Sequence, residues 1–116
     1  MQDEIDYYKS LNGRKYAKEF LDGIFSSHKQ LWIQINTILK HIRNRQNRKR
    51  PFTASLGNGL FEERARSNTL QARINFCYDK DGIKLLNGYL KNDRRSMNSG
   101  IAFGRKLLKE KNKKEK

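Results

Sequence analysis

The sequence lacks the residues that several common kinds of site require. It has one cysteine, Cys77, so no disulfide can form within the chain and no multi-cysteine metal site exists. A chain without disulfides fits a reducing compartment, and we expect a cytoplasmic protein. No apolar run approaches the ~20 residues that a membrane-spanning helix needs, so we expect no membrane partner. Only two histidines are present, His28 and His41, and we expect neither a metal nor another cofactor.

Acidic residues are also scarce, with 12 of them against 26 basic residues and a net charge of +14. Residues 1–30 hold five of each sign, so all of the net charge lies after residue 30. Such a field favours a polyanionic partner, nucleic acid or the ribosome, over the alternative of a merely soluble basic protein. With 116 residues, 35% of them hydrophobic, the chain can bury one core, and we expect a single domain over residues 1–116.

Apolar residues recur with helical spacing in the first third of the chain and with strand alternation in the second half. The predicted order is strand, two helices, three strands and a helix, at residues 5–8, 15–25, 27–43, 60–66, 71–78, 83–90 and 98–109. Ser96 or Asn98 is expected to cap the last helix, and the lysine-rich tail 109–116 is expected to fray. This order predicts an α+β fold: a small antiparallel sheet of about four strands, with the N-terminal helical hairpin on one face and a C-terminal helix. One sheet face then lacks helical cover and is open to a ligand.

A cluster of bases follows the second predicted helix. It comprises Arg43, Arg45, Arg48, Lys49 and Arg50, directly before the only proline, Pro51. One interpretation is contact with the phosphates of RNA. The alternative is a solvated charge run at a helix C-terminus, where cations also stabilise the helix dipole.

Four segments, in this order and spacing, match a known family. They are Tyr16-Ala17-Lys18-Glu19-Phe20-Leu21-Asp22, Gly59-Leu60-Phe61-Glu62-Glu63-Arg64, Ala72-Arg73-Ile74 through Tyr78, and Ile83 through Lys91. With them the chain resembles the RelE-like superfamily of bacterial toxins, and within it the HigB-type, phage-derived branch. The resemblance covers roughly residues 5–110. It departs from the family's pattern at Glu63, at Ala72, at Asn87, where a histidine is common, and at Ser96-Met97, where Thr-Pro is usual.

The resemblance implies a RelE-like fold and the toxin of a type II toxin–antitoxin system. Such a protein is a ribosome-dependent mRNA endoribonuclease that inhibits translation. The implied partners are the ribosome with its mRNA and a cognate antitoxin. The antitoxin is expected to be HigA-like and to have a helix-turn-helix domain. Operator DNA is expected to be bound mainly through the complex with the antitoxin. The departures at Ala72 and Asn87 keep open a non-catalytic, basic RNA- or ribosome-binding module. A DNA-binding regulator ranks third, because no helix-turn-helix spacing stands out.

Cleavage of RNA without a metal uses the neighbouring 2′-hydroxyl as nucleophile and needs a base, an acid and positive charge at the phosphorane. The two histidines fall in the predicted helical hairpin, so we interpret them as structural. Without a catalytic histidine the candidate residue types are Arg, Lys, Tyr and Glu. The resemblance implies that the catalytic residues are Arg73, Lys91, Arg64 and Tyr78, which stand where the family has working residues. A guanidinium can clamp the phosphate bidentately, and strand alternation puts Arg73 on one face with Asn75 and Cys77. The alternative is an ion pair of Arg73 with Glu62 or Glu63, while Glu62 is expected to be the structural partner of Arg64.

Further RNA-binding candidates flank these strands. They are Arg66, Tyr89, Arg94 and Arg95, together with the bases of 43–50. A tyrosine in a strand can stack on a base or give a proton, but each can equally belong to the core. For Tyr89 the core is a real alternative, because strand alternation groups it with Ile83 and Leu85.

Overall fold

The computed structural model describes residues 3–44 and 52–114. Along the chain the elements are β1 (Glu4–Tyr7), α1 (Tyr16–Ser27), α2 (Lys29–Arg43), β2 (Thr53–Gly57), β3 (Leu60–Ser67), β4 (Leu70–Asp79), β5 (Gly82–Leu90) and α3 (Arg94–Lys114). The fold is α+β, as the sequence predicts. No helix in the described part of the chain is long and apolar enough to cross a membrane.

The sheet differs from the predicted one in strand number and direction. It has five strands in the order β1-β5-β4-β3-β2. The three long strands form the predicted antiparallel meander, and β2 adds an antiparallel edge strand with a register shift between Ser55 and Gly57. On the other edge β1 pairs with β5 in parallel. The prediction of a small antiparallel sheet of about four strands is therefore wrong. The described sheet is mixed, because β1 lies parallel to β5 at one edge while the other three pairings are antiparallel. The chain between β1 and β5 includes α1 and α2 as well as β2, β3 and β4, which is long enough for the crossover that a parallel pair needs.

The helices α1 and α2 cover one face of the sheet, as predicted. Their apolar stripes bury Leu21 and Ile24 from α1 and Ile35 from α2, and these side chains pack in one cluster with Ile74 and Phe76 of β4. This cluster has 14 buried residues, against six in the cluster on the other face, so it makes the larger apolar contribution to folding among the described residues.

The other face of the sheet has helical cover as well, and this corrects the prediction of an open face. Helix α3 packs there through Leu107 and Leu108, against Cys77 and Leu86 of the sheet. It begins at Arg94 rather than near residue 98. The predicted cap is also different, since Asp93 Oδ1 accepts the Ser96 N–H at 2.8 Å and Ser96 Oγ accepts the Asp93 N–H at 3.1 Å. This reciprocal arrangement is a capping box, which satisfies two N–H groups at the helix start.

The C-terminal end of α3 is fixed to the loop after β1. Glu110 Oε1 accepts hydrogen bonds from the Tyr8 hydroxyl at 2.6 Å, from Ser10 Oγ at 2.9 Å and from the Leu11 N–H at 2.9 Å. Residues 109–114 are therefore the last turns of α3, which extends beyond the predicted end near residue 109. Residues 115 and 116 lie outside the described part of the chain.

A bulge in β5 changes which side chains face α3. Asn75 of β4 stands opposite Asn87, but the next residue, Phe76, stands opposite Leu85, so Leu86 has no partner in the register. A bulge of this kind reverses the alternation of the strand beyond it. Leu85 accordingly packs in the α1–α2 cluster, whereas Leu86 packs under α3.

Candidate functional site

Two arginines and a tyrosine from three neighbouring strands lie side by side on the face that α3 partly covers. In the strand register Arg64 of β3 stands opposite Arg73 of β4, and Arg73 stands opposite Tyr89 of β5. We call the surface around this row the arginine face. It comprises Glu62, Arg64, Arg66, Gln71, Arg73, Tyr89 and Lys91.

A second row extends the arginine face toward the ends of the strands. Arg66 stands opposite Gln71, and the Lys91 N–H donates to the Gln71 carbonyl oxygen at 2.8 Å. Strand alternation from Arg64 places Arg66 on the arginine face, and alternation from Tyr89 places Lys91 there. The structure thus brings together three of the four predicted catalytic residues, Arg64, Arg73 and Lys91.

Glu62 organises the two arginines of the first row. Its Oε1 accepts hydrogen bonds from Arg64 Nη2 at 3.0 Å and from Arg64 Nε at 3.2 Å. Its Oε2 lies 3.6 Å from Arg73 Nε and has no hydrogen-bond partner among the described residues. The predicted pairing of Glu62 with Arg64 is confirmed. One buried carboxylate therefore holds two guanidinium groups on the same surface against their mutual repulsion.

Arg73 is buried but only loosely bound. Its exposed fraction is 8%, and its hydrogen bonds to the Ala72 carbonyl oxygen and to Gln71 Oε1 are both 3.4 Å long. Burial lowers the pKa of Arg73, Glu62 opposes this and Arg64 adds to it. Because the ordinary pKa of arginine is so high, Arg73 stays charged at neutral pH. Buried polar groups normally make good hydrogen bonds, so a buried guanidinium with such long contacts is available to a stronger acceptor.

Tyr89 completes the row with a neutral hydroxyl. A Cβ built on Gly100 would lie 2.3 Å from the Tyr89 ring, so the ring packs directly on the backbone of α3. The buried Tyr89 Oη has no hydrogen-bond partner in the described part of the chain. Burial, aided by Glu62 and opposed by the two arginines, raises the pKa of Tyr89 to about 12. At neutral pH the phenol therefore keeps its proton and can donate it.

Two buried asparagines fasten α3 next to the row. Asn75 Nδ2 donates to Asn87 Oδ1 at 3.1 Å, and both side-chain amides donate to the Gly100 carbonyl oxygen, at 3.0 and 3.1 Å. A Cβ on Gly104 would lie 2.6 Å from Asn75 Nδ2, so only a glycine allows this close approach. Asn87 thus lies beneath α3 as a structural residue, at the position where the resembled family commonly has a histidine.

The remaining predicted site residues are dispersed. Tyr78 lies on the opposite face of the sheet, 37% exposed, with its ring centroid 5.0 Å from that of Phe61 and 5.5 Å from that of Phe76. Arg43 ends α2 in the layer on that same opposite side. Arg94 and Arg95 form the exposed first turn of α3. The predicted RNA-binding residues Arg45, Arg48, Lys49 and Arg50 lie outside the described residues.

Other potential chemistry lies apart from the arginine face. His28 joins α1 to α2 and His41 lies within α2, which is where the sequence places them. Within residues 3–44 and 52–114, no group of His, Cys, Asp and Glu side chains is placed to hold a metal ion. A cleft of about 690 Å³ lies at the opposite end of β4, but its buried Lys111 already lies 3.4 Å from the Asp79 carboxylate. That cleft therefore offers a largely neutralised lysine rather than an anion site.

Two residues at or beside the arginine face, Gln71 and Gly100, were not predicted from the sequence. Gln71 shares the alternation of Arg73 and could have been found from it. The role of Gly100 is signalled only by its spacing of four residues from Gly104 along one helix. Comparison of the chain with protein-family models, with curated proteins and with solved structures finds no match.

Proposed function

We propose that the protein is a RelE-like toxin of the HigB type, a ribosome-dependent mRNA endoribonuclease that acts through the arginine face. The observation that carries the proposal is the pairing of a buried, loosely bound Arg73 with a neutral Tyr89 hydroxyl that has no hydrogen-bond partner among the described residues. A phosphodiester offers Arg73 anionic oxygens for shorter hydrogen bonds than its 3.4 Å contacts, and it offers Tyr89 a leaving oxygen that takes a proton.

Each group has a definite part in the proposed reaction. The 2′-oxygen of the RNA forms a bond to phosphorus while the bond from phosphorus to the 5′-oxygen breaks. Arg73 and Arg64 stabilise the charge on the phosphorane, and Lys91 adds to the positive field. Tyr89 gives its proton to the departing 5′-oxygen, and the proton of the 2′-hydroxyl passes to water. Tyr89 takes this role rather than Tyr78, whose ring lies on the other face of the sheet.

The same groups explain why the proposed enzyme needs the ribosome. A phenol whose pKa is about 12 is a weak acid at neutral pH, and Glu62 is engaged by two arginines. General acid–base catalysis is most efficient when the pKa lies near the working pH, so this site is chemically weak. Exact positioning of the mRNA can offset such a weakness by several kcal/mol. The proposal therefore includes the ribosome as partner, a cytoplasmic location and a HigA-like antitoxin that covers the basic surface and contributes most of the operator DNA binding.

The test is cell-free bacterial translation with primer extension on the mRNA. The wild-type protein should produce discrete cuts that depend on ribosomes. Arg73→Gln should reduce the cleavage rate roughly 10²-fold or more, as expected for the loss of a preorganised charge at the transition state. Tyr89→Phe should reduce it by a factor on the order of 10², whereas Tyr78→Phe on the opposite face should retain it. Intact transcripts at protein concentrations that bind ribosomes would refute the proposal.

A second candidate function is a non-catalytic, basic RNA- or ribosome-binding module. It is favoured by one observation: the described part of the arginine face contains no imidazole, and Asn87 is used to hold α3. A module of this kind would bind ribosomes with no cut in the mRNA and no arrest of growth. The primer-extension experiment separates the two functions, because Arg73→Gln would then weaken binding with no cleavage to lose.

A further inference from the structure

The outward side of α3 carries an unusual charge distribution. The helix has eight basic residues and a single acidic one, Glu110. That one carboxylate points inward to the Tyr8 hydroxyl and to the backbone of Leu11, so it does not neutralise the outward side.

Some of the basic residues of α3 are also engaged within the protein. The buried Lys111 Nζ lies 3.4 Å from Asp79, and Lys114 Nζ donates to the Lys9 carbonyl oxygen at 3.3 Å. Arg105 donates to two carbonyl oxygens at the β2–β3 turn. Three of the eight basic side chains of α3 therefore have partners within the protein.

The remaining cations include a set that lies on one line. Positions spaced by three and four residues share one side of a helix. The outer stripe of α3, as we call this line, comprises Arg95, Ser99, Ala102, Lys106, Lys109 and Lys113, all exposed. It covers the 19 residues from Arg95 to Lys113, whose 18 steps of 1.5 Å give a length of roughly 27 Å. Its N-terminal end begins beside the arginine face, where Gly100 contacts Tyr89.

Helix stability alone does not account for the outer stripe. Cations near a helix C-terminus are favourable, which explains Lys113. The same rule makes Arg95 unfavourable in the first turn of α3. Like charges three or four residues apart, as in Lys106 and Lys109, cost about 0.2–0.5 kcal/mol for each pair. The basic side chains of the outer stripe therefore repel one another, and a bound polyanion would reduce this repulsion.

The surface of the stripe fits a phosphate backbone better than a protein partner. The exposed large apolar residues among those described are Leu11, Phe25, Ile33 and Tyr78, and none of them belongs to α3. Protein interfaces need an apolar or aromatic centre, which the stripe does not offer. A groove of about 580 Å³ runs beside it, and its lining is mostly polar or basic: Asn58, Arg105, Lys106, Lys109 and Asn112, with Ala102 and Leu108. We propose that the outer stripe of α3 binds the backbone of single-stranded RNA that extends from the arginine face, and this rests on the proposed function for the identity of the polyanion.

The test measures binding separately from cleavage. A short, fluorescein-labelled 2′-O-methyl oligouridylate serves as probe, because it has no free 2′-hydroxyl and cannot be cut by the proposed reaction. Its affinity is measured by fluorescence anisotropy over a series of salt concentrations. Each lost contact with a single-strand phosphate should reduce the slope of log affinity against log salt by about 0.7. The triple variant Lys106→Gln, Lys109→Gln, Lys113→Gln should therefore reduce that slope by about 2. Between 50 and 200 mM salt, the ratio of wild-type to variant affinity should then shrink roughly 20-fold.

A matched variant controls for net charge. Lys15→Gln, Lys29→Gln and Lys40→Gln remove three exposed lysines from α2 and from the start of α1. Both triple variants lower the net charge from +14 to +11. The control should keep nearly the whole slope, and replacing the three stripe lysines by arginine should keep it as well. Unfolding curves of all variants establish that the fold is retained.

The outcomes separate this proposal from its rivals and from the proposed function. An equal loss of slope in both triple variants would assign the effect to net charge and would overturn the proposal. If the stripe variant kept the full slope but no longer bound polyglutamate, the stripe would be a surface for an acidic protein. This result would also overturn the proposal. A protein that never cleaves mRNA, but whose slope falls only in the stripe variant, would refute the endonuclease and leave the stripe as an RNA-binding surface.

Discussion

Replacing Glu63 by leucine should stabilise the protein at neutral pH. Glu63 lies in β3, opposite Thr53 and Ile74, on the face that α2 covers. Its side chain is fully buried, and neither carboxyl oxygen has a hydrogen-bond partner among the described residues. A buried carboxyl without a partner is costly to ionise, and burial raises the pKa of Glu63 well above its ordinary value.

The expected gain follows from the unsatisfied group. Leaving a buried polar group without a partner costs about 1–3 kcal/mol, and Glu63→Leu removes that cost at nearly constant volume. For a domain of this size each kcal/mol shifts the unfolding temperature by about 4 °C or somewhat more. We therefore expect an increase in Tm of roughly 4–15 °C at neutral pH. Glu63→Gln, which keeps a polar group without a charge, should lie between the wild type and the leucine variant.

The gain should also depend on pH. Because the folded-state pKa of Glu63 is raised, its contribution to stability is fully present below the unfolded value of 4.5 and is lost as pH rises through the folded pKa. The difference between Glu63→Leu and wild type should therefore be smaller near pH 4.5, where only the cost of the unsatisfied neutral carboxyl remains, and larger at neutral pH. Urea unfolding followed by the fluorescence of Trp32, which packs partly against the α1–α2 cluster, measures it. The exposed variant Glu4→Gln is the control. A pH-independent difference, or a destabilised Glu63→Leu protein, would refute the reasoning.

Two further substitutions probe how α3 is attached. Gly100→Ala should lower the free energy of unfolding by about 1–3 kcal/mol, because the new methyl would overlap the Tyr89 ring. This loss should exceed the gain from the better helix propensity of alanine. Urea titrations measure the change, and an unchanged midpoint would contradict the packing of Gly100 on Tyr89. Glu110→Gln should destabilise by about 1 kcal/mol at neutral pH through weaker bonds to Tyr8 and Leu11. The hydrogen bonds from Tyr8 and from the Leu11 N–H lower the pKa of Glu110. The contribution of Glu110 to stability is therefore present above the unfolded pKa of 4.5 and should be lost as pH falls through the folded pKa. Thermal unfolding at several pH values tests this dependence.

Local pattern was enough to predict the central part of the fold. The meander β3-β4-β5 and the two N-terminal helices follow from alternation and helical spacing, and they appear close to the predicted bounds. Alternation within β4 also correctly grouped Arg73 with Asn75 and Cys77 on one face. These features depend on residues near one another in the sequence, where periodicity carries the information.

Features that depend on distant contacts were not predicted. The parallel pairing of β1 with β5 joins residues about eighty positions apart, for example Ile5 with Ile83. Helix α3 was predicted too short, because the lysines of its last turns read as a solvated tail. The contacts that order those turns, such as the bonds from Glu110 to Tyr8 and Ser10, join the two ends of the chain. No periodicity within either segment encodes such contacts.

The position of Tyr89 shows how one local irregularity decides the candidate site. Strict alternation along β5 places Tyr89 with Ile83 and Leu85, in the core beneath α1 and α2. The extra residue Leu86 reverses the alternation beyond it, so Tyr89 stands in the row of Arg73 and against the backbone of Gly100. A tyrosine on the opposite face, as Tyr78 is, would lie on the far side of the sheet from both arginines. The bulge therefore determines that Tyr89, rather than Tyr78, is the phenol that stands beside the two arginines.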